Sequence, residues 1–371
     1  LPTDGTGDFT TTRASVATRV NENGFIEEVA SNVPRLDYSD GGCPSLLLEP
    51  LATNVITNSN TPSASSNVVV NTNNSISLDG SLNAFKITAN SGTSTKLIEA
   101  NGASVGTYRF SVFAKKDTHE IIQLGGGGVV GYANFNLENG EHSSNGSMDY
   151  YGNGWYRCSV QFSAGTPLSH FVSFVDSLTA NRIAASVSVG SFFLYGMQSE
   201  TTSHTTSYIP TSGIVQTRAL DSCNNTLPSA VATSGVMYTE IEIFDSVLDI
   251  SSGSIRYGID QDGLSANWIF FGIEGGDSLR VYIRANDSTS FDNTLDNVFP
   301  TAGVYKIAMR FTLNDTKVFV NGVQKAASPN SVIASNLNTI TFSNESAVKN
   351  KDFRLYNTAL TDAELIALTT I

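Results

Sequence analysis

Three acidic side chains within six residues come closest to a catalytic arrangement in this sequence. They are Glu240, Glu242 and Asp245, in the run Glu240-Ile241-Glu242-Ile243-Phe244-Asp245. A retaining glycoside hydrolase needs two carboxyl groups about 5 Å apart, one as nucleophile and one as acid. On a β-strand Glu240 and Glu242 share one face, whereas Asp245 lies on the other face unless a bulge intervenes. We therefore expect solvated carboxylates on the first strand of a domain, with a glycoside hydrolase-like site as the weaker alternative.

A second acidic run, Asp260-Gln261-Asp262-Gly263, has the spacing with which a calcium loop begins. Calcium takes several carboxylate and carbonyl oxygens, and the other positions of an EF-hand are missing here. A β-turn is the favoured interpretation, and a structural calcium ion at Asp260 and Asp262 is the alternative; no other cofactor is expected. No His-Glu-x-x-His or Gly-x-Ser-x-Gly motif occurs, which argues against a zinc site or a nucleophilic triad. The four histidines are scattered along the chain: His119, His142, His170 and His204.

Aromatic side chains offer a different chemistry, since an exposed ring can stack on the apolar face of a sugar while polar neighbours bind its hydroxyls. Tyr150 and Tyr151 precede Gly152 and Asn153, a pair typical of a loop, and are the first candidates for glycan binding. Trp268 is a candidate by residue type alone. Trp155 begins an alternating strand, so we expect it in the core.

Composition narrows the classes of partner. Of the 371 residues only 15% are charged, and the formal net charge is -13. Affinity for nucleic acid comes mainly from Lys and Arg, so nucleic-acid binding is not expected. No apolar run approaches the ~20 residues that cross a bilayer, so membrane insertion is not expected either. The cysteines, Cys43, Cys158 and Cys223, allow one disulfide at most.

Alternating apolar and polar residues in short bursts, separated by Asn, Gly and Ser, predict an all-β protein of tandem sandwiches. We assign residues 1–54 to an extended N-terminal segment for attachment or oligomerisation, which packs on a neighbouring part of the chain or on another chain. Residues 55–212 form a first sandwich, 213–229 a linker rich in Thr, Ser and Asn, and 230–371 a second sandwich. A hairpin turn is predicted at Asn321-Gly322. One terminal helix is predicted, with Thr361 and Glu364 in a capping box.

Four short motifs mark the N-terminal segment: Thr12-Arg13-Ala14-Ser15, Ala17-Thr18-Arg19-Val20, Val33-Pro34-Arg35-Leu36-Asp37-Tyr38 and Leu46-Leu47-Leu48-Glu49-Pro50. With them, the stretch from Phe9 to Asn58 resembles an N-terminal segment common in bacteriophage tail and head-fibre proteins.

The two sandwiches carry further motifs. Gly154-Trp155-Tyr156-Arg157 and Thr206-Ser207-Tyr208-Ile209-Pro210-Thr211 resemble the jelly-roll, carbohydrate-binding-module-like domains of the same phage proteins. Val318-Phe319-Val320-Asn321-Gly322 and the closing run from Phe353 to Leu365 resemble a concanavalin A or laminin-G-like sandwich. A laminarinase-type hydrolase on a related sandwich uses the motif E-x-D-x-x-E. In this sequence the second acid of that motif is Glu instead of Asp, and the third is Asp instead of Glu.

The resemblance implies a fibre or spike component on the virion surface, either structural or host-recognising. We expect it to lack enzymatic activity and to meet glycans of the host surface. It also implies a homo-oligomer, with a trimer as the expected form, and contacts with other virion proteins through the N-terminal segment. Both sandwich motifs also occur in secreted proteins. The alternative is therefore a sugar-binding region of a secreted bacterial polysaccharide-degrading enzyme or of an adhesin.

Overall fold

The chain folds into strands throughout, as the alternating sequence predicts. The computed structural model describes residues 9–62, 64–126, 131–165, 168–202, 204–243, 254–261, 264–275, 277–344 and 347–371. These residues form two antiparallel β-sandwiches, with an N-terminal segment against them and a short helix at the end. The predicted all-β fold class is confirmed.

The N-terminal segment is extended, and its prolines bound its strands. Pro34 precedes one short strand, and Pro44 and Pro50 flank another, because proline lacks the N–H that a ladder or helix requires. The strands are β1 (Thr10–Thr12), β2 (Ala17–Val20), β3 (Ile26–Val29), β4 (Leu36–Asp37), β5 (Ser45–Leu48) and β6 (Ala52–Asn54).

The middle sandwich packs a five-stranded sheet, in the order β13-β12-β16-β10-β7, on a six-stranded sheet, in the order β14-β15-β11-β17-β9-β8. Alternate side chains from both sheets meet between them, and Phe110, Phe135, Phe174 and Phe192 are fully buried there. The strands are β7 (Ala64–Ser66), β8 (Val68–Ile76), β9 (Leu82–Ala89), β10 (Leu97–Ala103), β11 (Gly106–Lys116), β12 (Ile121–Gly126), β13 (Tyr132–Asn136), β14 (Gly146–Tyr150), β15 (Trp155–Ala164), β16 (Leu168–Phe174) and β17 (Ser191–Glu200).

The C-terminal sandwich packs two seven-stranded sheets, in the orders β1-β19-β28-β21-β22-β23-β24 and β27-β26-β25-β20-β29-β5-β4. Before it, β18 (Gln216–Arg218) pairs with β6 in a separate two-stranded sheet. The later elements are β19 (Ser222–Val231), β20 (Ser234–Ile243), β21 (Ser254–Gln261), β22 (Leu264–Glu274), β23 (Ser278–Ala285), β24 (Ser288–Leu295), β25 (Gly303–Thr312), β26 (Thr316–Val320), β27 (Val323–Ser328), β28 (Leu337–Asn344), β29 (Val348–Tyr356) and helix α1 (Asp362–Thr369).

Two local predictions in this sandwich are confirmed. Strands β26 and β27 form a hairpin whose turn residues, Asn321 and Gly322, both have positive φ, as a two-residue hairpin turn requires. Thr361 caps α1 and accepts a hydrogen bond from the backbone N–H of Glu364, whose carboxylate accepts one from Thr361 in return.

The N-terminal segment belongs to both sandwiches through strand pairing and packing. Strand β1 pairs with β19, and β5 pairs with β29 and carries β4 at the sheet edge. The β2–β3 hairpin places Val20 and Ile26 in an apolar cluster with Phe113 and Trp155, on the outer face of the six-stranded sheet. The segment therefore packs on its own chain, one of the two expected arrangements.

The stretch from residue 213 to residue 229, expected as a linker, differs from that expectation. It contains β18, and β19 begins within it at Ser222 and runs on to Val231 inside a seven-stranded sheet. Ser, Thr and Asn have weak strand preferences of their own, but strand formation depends mainly on cross-strand neighbours. Here β1 and β28 supply those neighbours on the two sides of β19.

Five buried charged side chains join these parts, and we call them the charge cluster: Arg13, Arg35, Arg218, Glu49 and Asp221. Arg13 pairs with Asp221 at 2.9 Å, and Arg35 pairs with Glu49 at 2.7 Å and also with Asp221. Arg218 lies 3.4 Å from Glu49 and 3.7 Å from Asp221. None of these side chains is more than 3% exposed.

The charge cluster holds the carboxylate of Glu49 ionised despite its burial. Burial by itself would raise the pKa of Glu49, but the positive charges of Arg218 and Arg35 outweigh it and hold that pKa well below its usual range. Burial would likewise lower the pKa of Arg35, but Glu49 and Asp221 outweigh it and raise the pKa. Glu49 also accepts hydrogen bonds from the backbone N–H and hydroxyl of Ser207, which follows the middle sandwich.

We expect Asp221→Asn to lower the free energy of unfolding by about 3–5 kcal/mol, because it leaves Arg13 and Arg35 buried without their shared carboxylate. Urea unfolding followed by tryptophan fluorescence measures this. The control is Asp292→Asn, which removes a partly exposed partner of Arg280 at 3.0 Å and should cost no more than about 1 kcal/mol. Equal costs for the two variants would contradict a central role for the charge cluster.

Candidate functional site

A groove of about 520 Å³ opens at one end of the middle sandwich. The β14–β15 hairpin forms one wall, and its tip turns sharply because Gly152, Asn153 and Gly154 all have positive φ. The ends of β11 and β13 form the other walls. The groove is lined by Lys115, Lys116, Asp117, Leu137, Glu138, Tyr150, Gly154 and Tyr156.

Tyr150 presents its ring to this groove. The residue is 60% exposed, and its ring centroid lies 5.1 Å from that of Tyr156 across the hairpin. The backbone N–H of Gly154 donates a hydrogen bond to the Tyr150 hydroxyl at 3.3 Å. The exposed ring is thus supported on the hairpin by a second aromatic side chain and by a backbone donor.

Charged side chains surround the ring, and most of them are paired. Lys116 contacts Glu138 at 2.6 Å, and Lys86 contacts Asp117 at 2.7 Å. The hydrogen bond from Lys86 is the main reason that the pKa of Asp117 lies below its usual value. The ammonium of Lys115 has no ion-pair or hydrogen-bond partner among the described residues, so it is available to a ligand.

Tyr151 has a different environment from its neighbour Tyr150. It is half-buried and packs edge-on against Phe113, with ring centroids 5.0 Å apart, and burial raises the pKa of its hydroxyl. Trp155 is 2% exposed, so its predicted place in the core is confirmed. Of the two tyrosines, only Tyr150 lines the groove.

Trp268 lies in the C-terminal sandwich, in an aromatic patch on the outer face of its sheet. Its ring centroid is 4.5 Å from that of Phe270, and Arg256 and Arg280 lie over the Phe270 ring. A Cβ at position 258 would lie 2.5 Å from the indole nitrogen, so Gly258 is what lets the indole lie against the sheet. Glycan binding at Trp268 stays a prediction.

Asp260 is 7% exposed and accepts a hydrogen bond from the Thr341 hydroxyl at 2.9 Å. Asp262, the second residue of the calcium prediction, lies outside the described residues. In the part of the chain that the structure describes, no group of three or more His, Cys, Asp or Glu side chains is arranged to hold a metal ion. Calcium at Asp260 and Asp262 stays a prediction.

Strand β20 is an interior strand, with β25 and β29 paired on its two sides, and not the first strand that the sequence suggests. Glu240 and Glu242 are partly exposed on one of its faces. Glu242 contacts Lys351 at 3.3 Å and Lys349 at 3.8 Å. Burial and the neighbouring Asp40 carboxyl raise the pKa of Glu242. The Tyr238 hydroxyl donates to Glu240 at 3.4 Å. Asp245 lies outside the described residues.

The three cysteines are free thiols, and the histidines are spread over the middle sandwich and the residues that follow it. His119, His170 and His204 are buried and His142 is exposed. No helix in the described ranges is long and apolar enough to cross a membrane.

The sequence indicated Tyr150 as a candidate for glycan binding but did not indicate the charged side chains around it. Lys115 and Lys116 end one strand and Glu138 follows another, and no sequence spacing links them. They meet only because the two sheets pack face to face.

No protein-family model matches the chain, and no curated protein matches it. Among solved structures it is similar to the CBM40 of the Ruminococcus gnavus IT-sialidase bound to alpha2,6 sialyllactose, at 15% identity, a TM-score of 0.26, and coverage of 38% of this chain and 84% of that chain. Sheep galectin-11 in complex with glycerol gives 7% identity, a TM-score of 0.28, and coverage of 36% of this chain and 95% of that chain. The native heptameric SAP-like pentraxin from Limulus polyphemus gives 10% identity, a TM-score of 0.28, and coverage of 38% of this chain and 73% of that chain.

The buried histidines predict a dependence of stability on pH. Burial lowers the pKa of His170 to about 4, below the value of about 6.5 for an unfolded chain, so the unfolded state binds more protons between these two pH values. Acidification from pH 7 to pH 4 should therefore remove on the order of 3 kcal/mol through His170. We expect His170→Gln to lose this part of the slope when the free energy of unfolding is measured against pH. An unchanged slope would contradict it.

Proposed function

We propose that this protein is a non-catalytic glycan-binding protein, and that the groove beside Tyr150 is its binding site. The observation that carries the proposal is the exposed Tyr150 ring, held by Tyr156 and bordered by charged side chains in a groove of about 520 Å³. That volume lies within the range of small-ligand sites and accommodates one or two sugar rings.

The groove offers the two kinds of contact that a sugar requires. The apolar face of a sugar ring stacks on an aromatic ring, and its hydroxyl groups exchange hydrogen bonds with charged side chains. Glu138 and Asp117 can accept hydrogen bonds, and Lys115 and Lys116 can donate them. Because the groove is open and offers a ligand few contacts, we expect a single chain to bind glycans weakly.

The placement and pairing of the carboxylates support binding without catalysis. Glu242 pairs with two lysines, and Glu240 accepts from Tyr238 on an interior strand, so neither is placed as a free acid facing the groove. The groove itself holds Glu138 and Asp117, and each of these is paired with a lysine.

We further propose that the chain is a component of a bacteriophage fibre or spike, that it is displayed on the virion surface as a homo-oligomer, and that it meets host glycans there. The resemblance of residues 9–58 to fibre proteins is one support. A second is that Arg35 and Glu49 of those motifs contact Ser207 and each other, while Arg13 contacts Asp221. Repeating a weak site around an axis would raise the avidity.

We expect Tyr150→Ala to weaken glycan binding at least about tenfold, which corresponds to ~1.4 kcal/mol, because it removes the stacking ring. A glycan array would identify a ligand, and isothermal titration would measure the affinity of wild type and variant. Tyr150→Phe keeps the ring and should retain most of the binding.

Trp268→Ala is the matched control, since it removes an aromatic side chain from the other sandwich. Loss of binding in Trp268→Ala with full binding in Tyr150→Ala would move the site to the C-terminal sandwich. The absence of any glycan ligand would contradict the proposed function.

Mass determination by light scattering tests the proposal that the chain is a homo-oligomeric component of a fibre or spike. We expect a stable closed oligomer over a range of concentrations, with the mass of three 39.5 kDa chains for the trimer. A monomer at every concentration would contradict the fibre or spike, and would favour the sugar-binding region of a secreted protein.

A further inference from the structure

The guanidinium group of Arg218 is buried without a hydrogen-bond acceptor. The residue is 1% exposed, and none of its three side-chain nitrogens has a hydrogen-bond partner among the residues that the structure describes. Glu49 at 3.4 Å and Asp221 at 3.7 Å form ion pairs with Arg218 but accept no hydrogen bond from it. A guanidinium carries five N–H donors, and buried donors of a charged group are costly to leave unpaired.

In the charge cluster Arg13 donates from all three side-chain nitrogens. Arg35 donates from both terminal nitrogens, and its Nε has no partner among the described residues. Arg13 donates to Asp221 and to the backbone oxygens of Ser15, Val33, Val29 and Ala30. Arg35 donates to Glu49, Asp221, Ser207 and the backbone oxygen of Thr18. The two carboxylates of the cluster are therefore already occupied by Arg13 and Arg35, and Arg218 is the third cation beside them.

The charge cluster carries one positive charge in excess, because three guanidinium groups face two carboxylates. Two further buried groups interact with the cluster: Glu200 acts on Arg218 as an anion, and Arg157 acts on Glu200 as a cation. Together they add one charge of each sign and leave the excess in place. An unpaired charge in a protein interior costs several kcal/mol, so native structures neutralise such charges or bind a counter-ion.

His204 is a second buried side chain without a partner near Arg218. It is 2% exposed, and neither ring nitrogen has a hydrogen-bond partner in the described part of the chain. Burial lowers the pKa of His204 to about 4; Glu49 opposes this effect, and the charges of Arg109 and Arg218 add to it. At pH 7 the ring is therefore neutral, with one N–H to donate.

We propose that the protein binds one small monovalent anion, of the halide class, beside the guanidinium of Arg218, with His204 as a further donor. The anion accepts the hydrogen bonds that Arg218 lacks and cancels the excess charge of the cluster. A small ion is required because the group it must reach is 1% exposed. The site joins the charge cluster at the junction of the N-terminal segment with both sandwiches, so its occupancy stabilises that junction.

Thermal unfolding of the full chain in chloride tests the site. Sodium chloride would replace sodium gluconate at constant ionic strength and pH 7, so that general screening is unchanged and only the small anion varies. An ion that binds the folded state alone raises the unfolding midpoint as its concentration rises. We expect a rise of about 2 °C or more, and a similar rise with bromide.

The variant Arg218→Met removes the charge and all five donors while it keeps a long side chain, so its midpoint should not respond to chloride. The control is Arg354→Met, which changes a largely exposed arginine and should respond like wild type. If Arg218→Met does not fold, Arg218→Lys serves in its place, and chloride should then raise its midpoint less than that of wild type.

Anomalous scattering from wild-type crystals soaked in sodium bromide locates the ion independently of stability. A peak within hydrogen-bond distance of the Arg218 guanidinium supports the proposal. No peak there, or equal midpoints in chloride and gluconate, would overturn it and assign the donors of Arg218 to buried water. Neither outcome depends on glycan binding, since the groove lies elsewhere.

Discussion

The charge cluster is the interaction on which the arrangement of this protein depends. Arg13 and Asp221 are 208 residues apart in the chain, and their ion pair fixes the start of the N-terminal segment against the end of the middle region. Around it, β1, β4 and β5 complete the C-terminal sheets, and the β2–β3 hairpin covers the outer face of the middle sandwich. Buried ion pairs add little net stability compared with an apolar core, but they penalise every arrangement that leaves a charge unpaired. We therefore infer that the charge cluster selects one arrangement of the N-terminal segment against the two sandwiches.

This geometry has a consequence for the groove. The hairpin that carries Tyr150 begins and ends in the sheet whose other face holds Trp155, Phe113 and Tyr208, under the β2–β3 hairpin. A rigid support of this kind lowers the cost of ordering side chains when a ligand binds. In the proposed function, a weak site on a stiff body gains affinity by repetition, because each further contact in an oligomer forms at high effective concentration.

Much of the fold is predictable because its signals are local. Period-two alternation in Tyr108 to Ala114 places one set of side chains in the core, and the Asn321-Gly322 turn and the Thr361 cap each depend on a few adjacent residues. The stretch from Ser222 to Val231 was not predictable in this way. Its Ser, Thr and Asn residues form a strand only because β1 and β28 flank it, and those partners come from distant parts of the sequence.

The sequence by itself determined the fold class, the turns, the cap and the residue types from which a sugar site could be made. Only the tertiary structure decided which of them meet. Tyr150 and Tyr151 are adjacent and identical in type, yet one lines an open groove and the other packs on Phe113, because successive side chains leave opposite faces of a sheet. Which face is covered depends on strands far away in the chain. The same holds for Arg218, whose burial and excess charge arise only when Arg13, Arg35 and their shared carboxylates assemble around it.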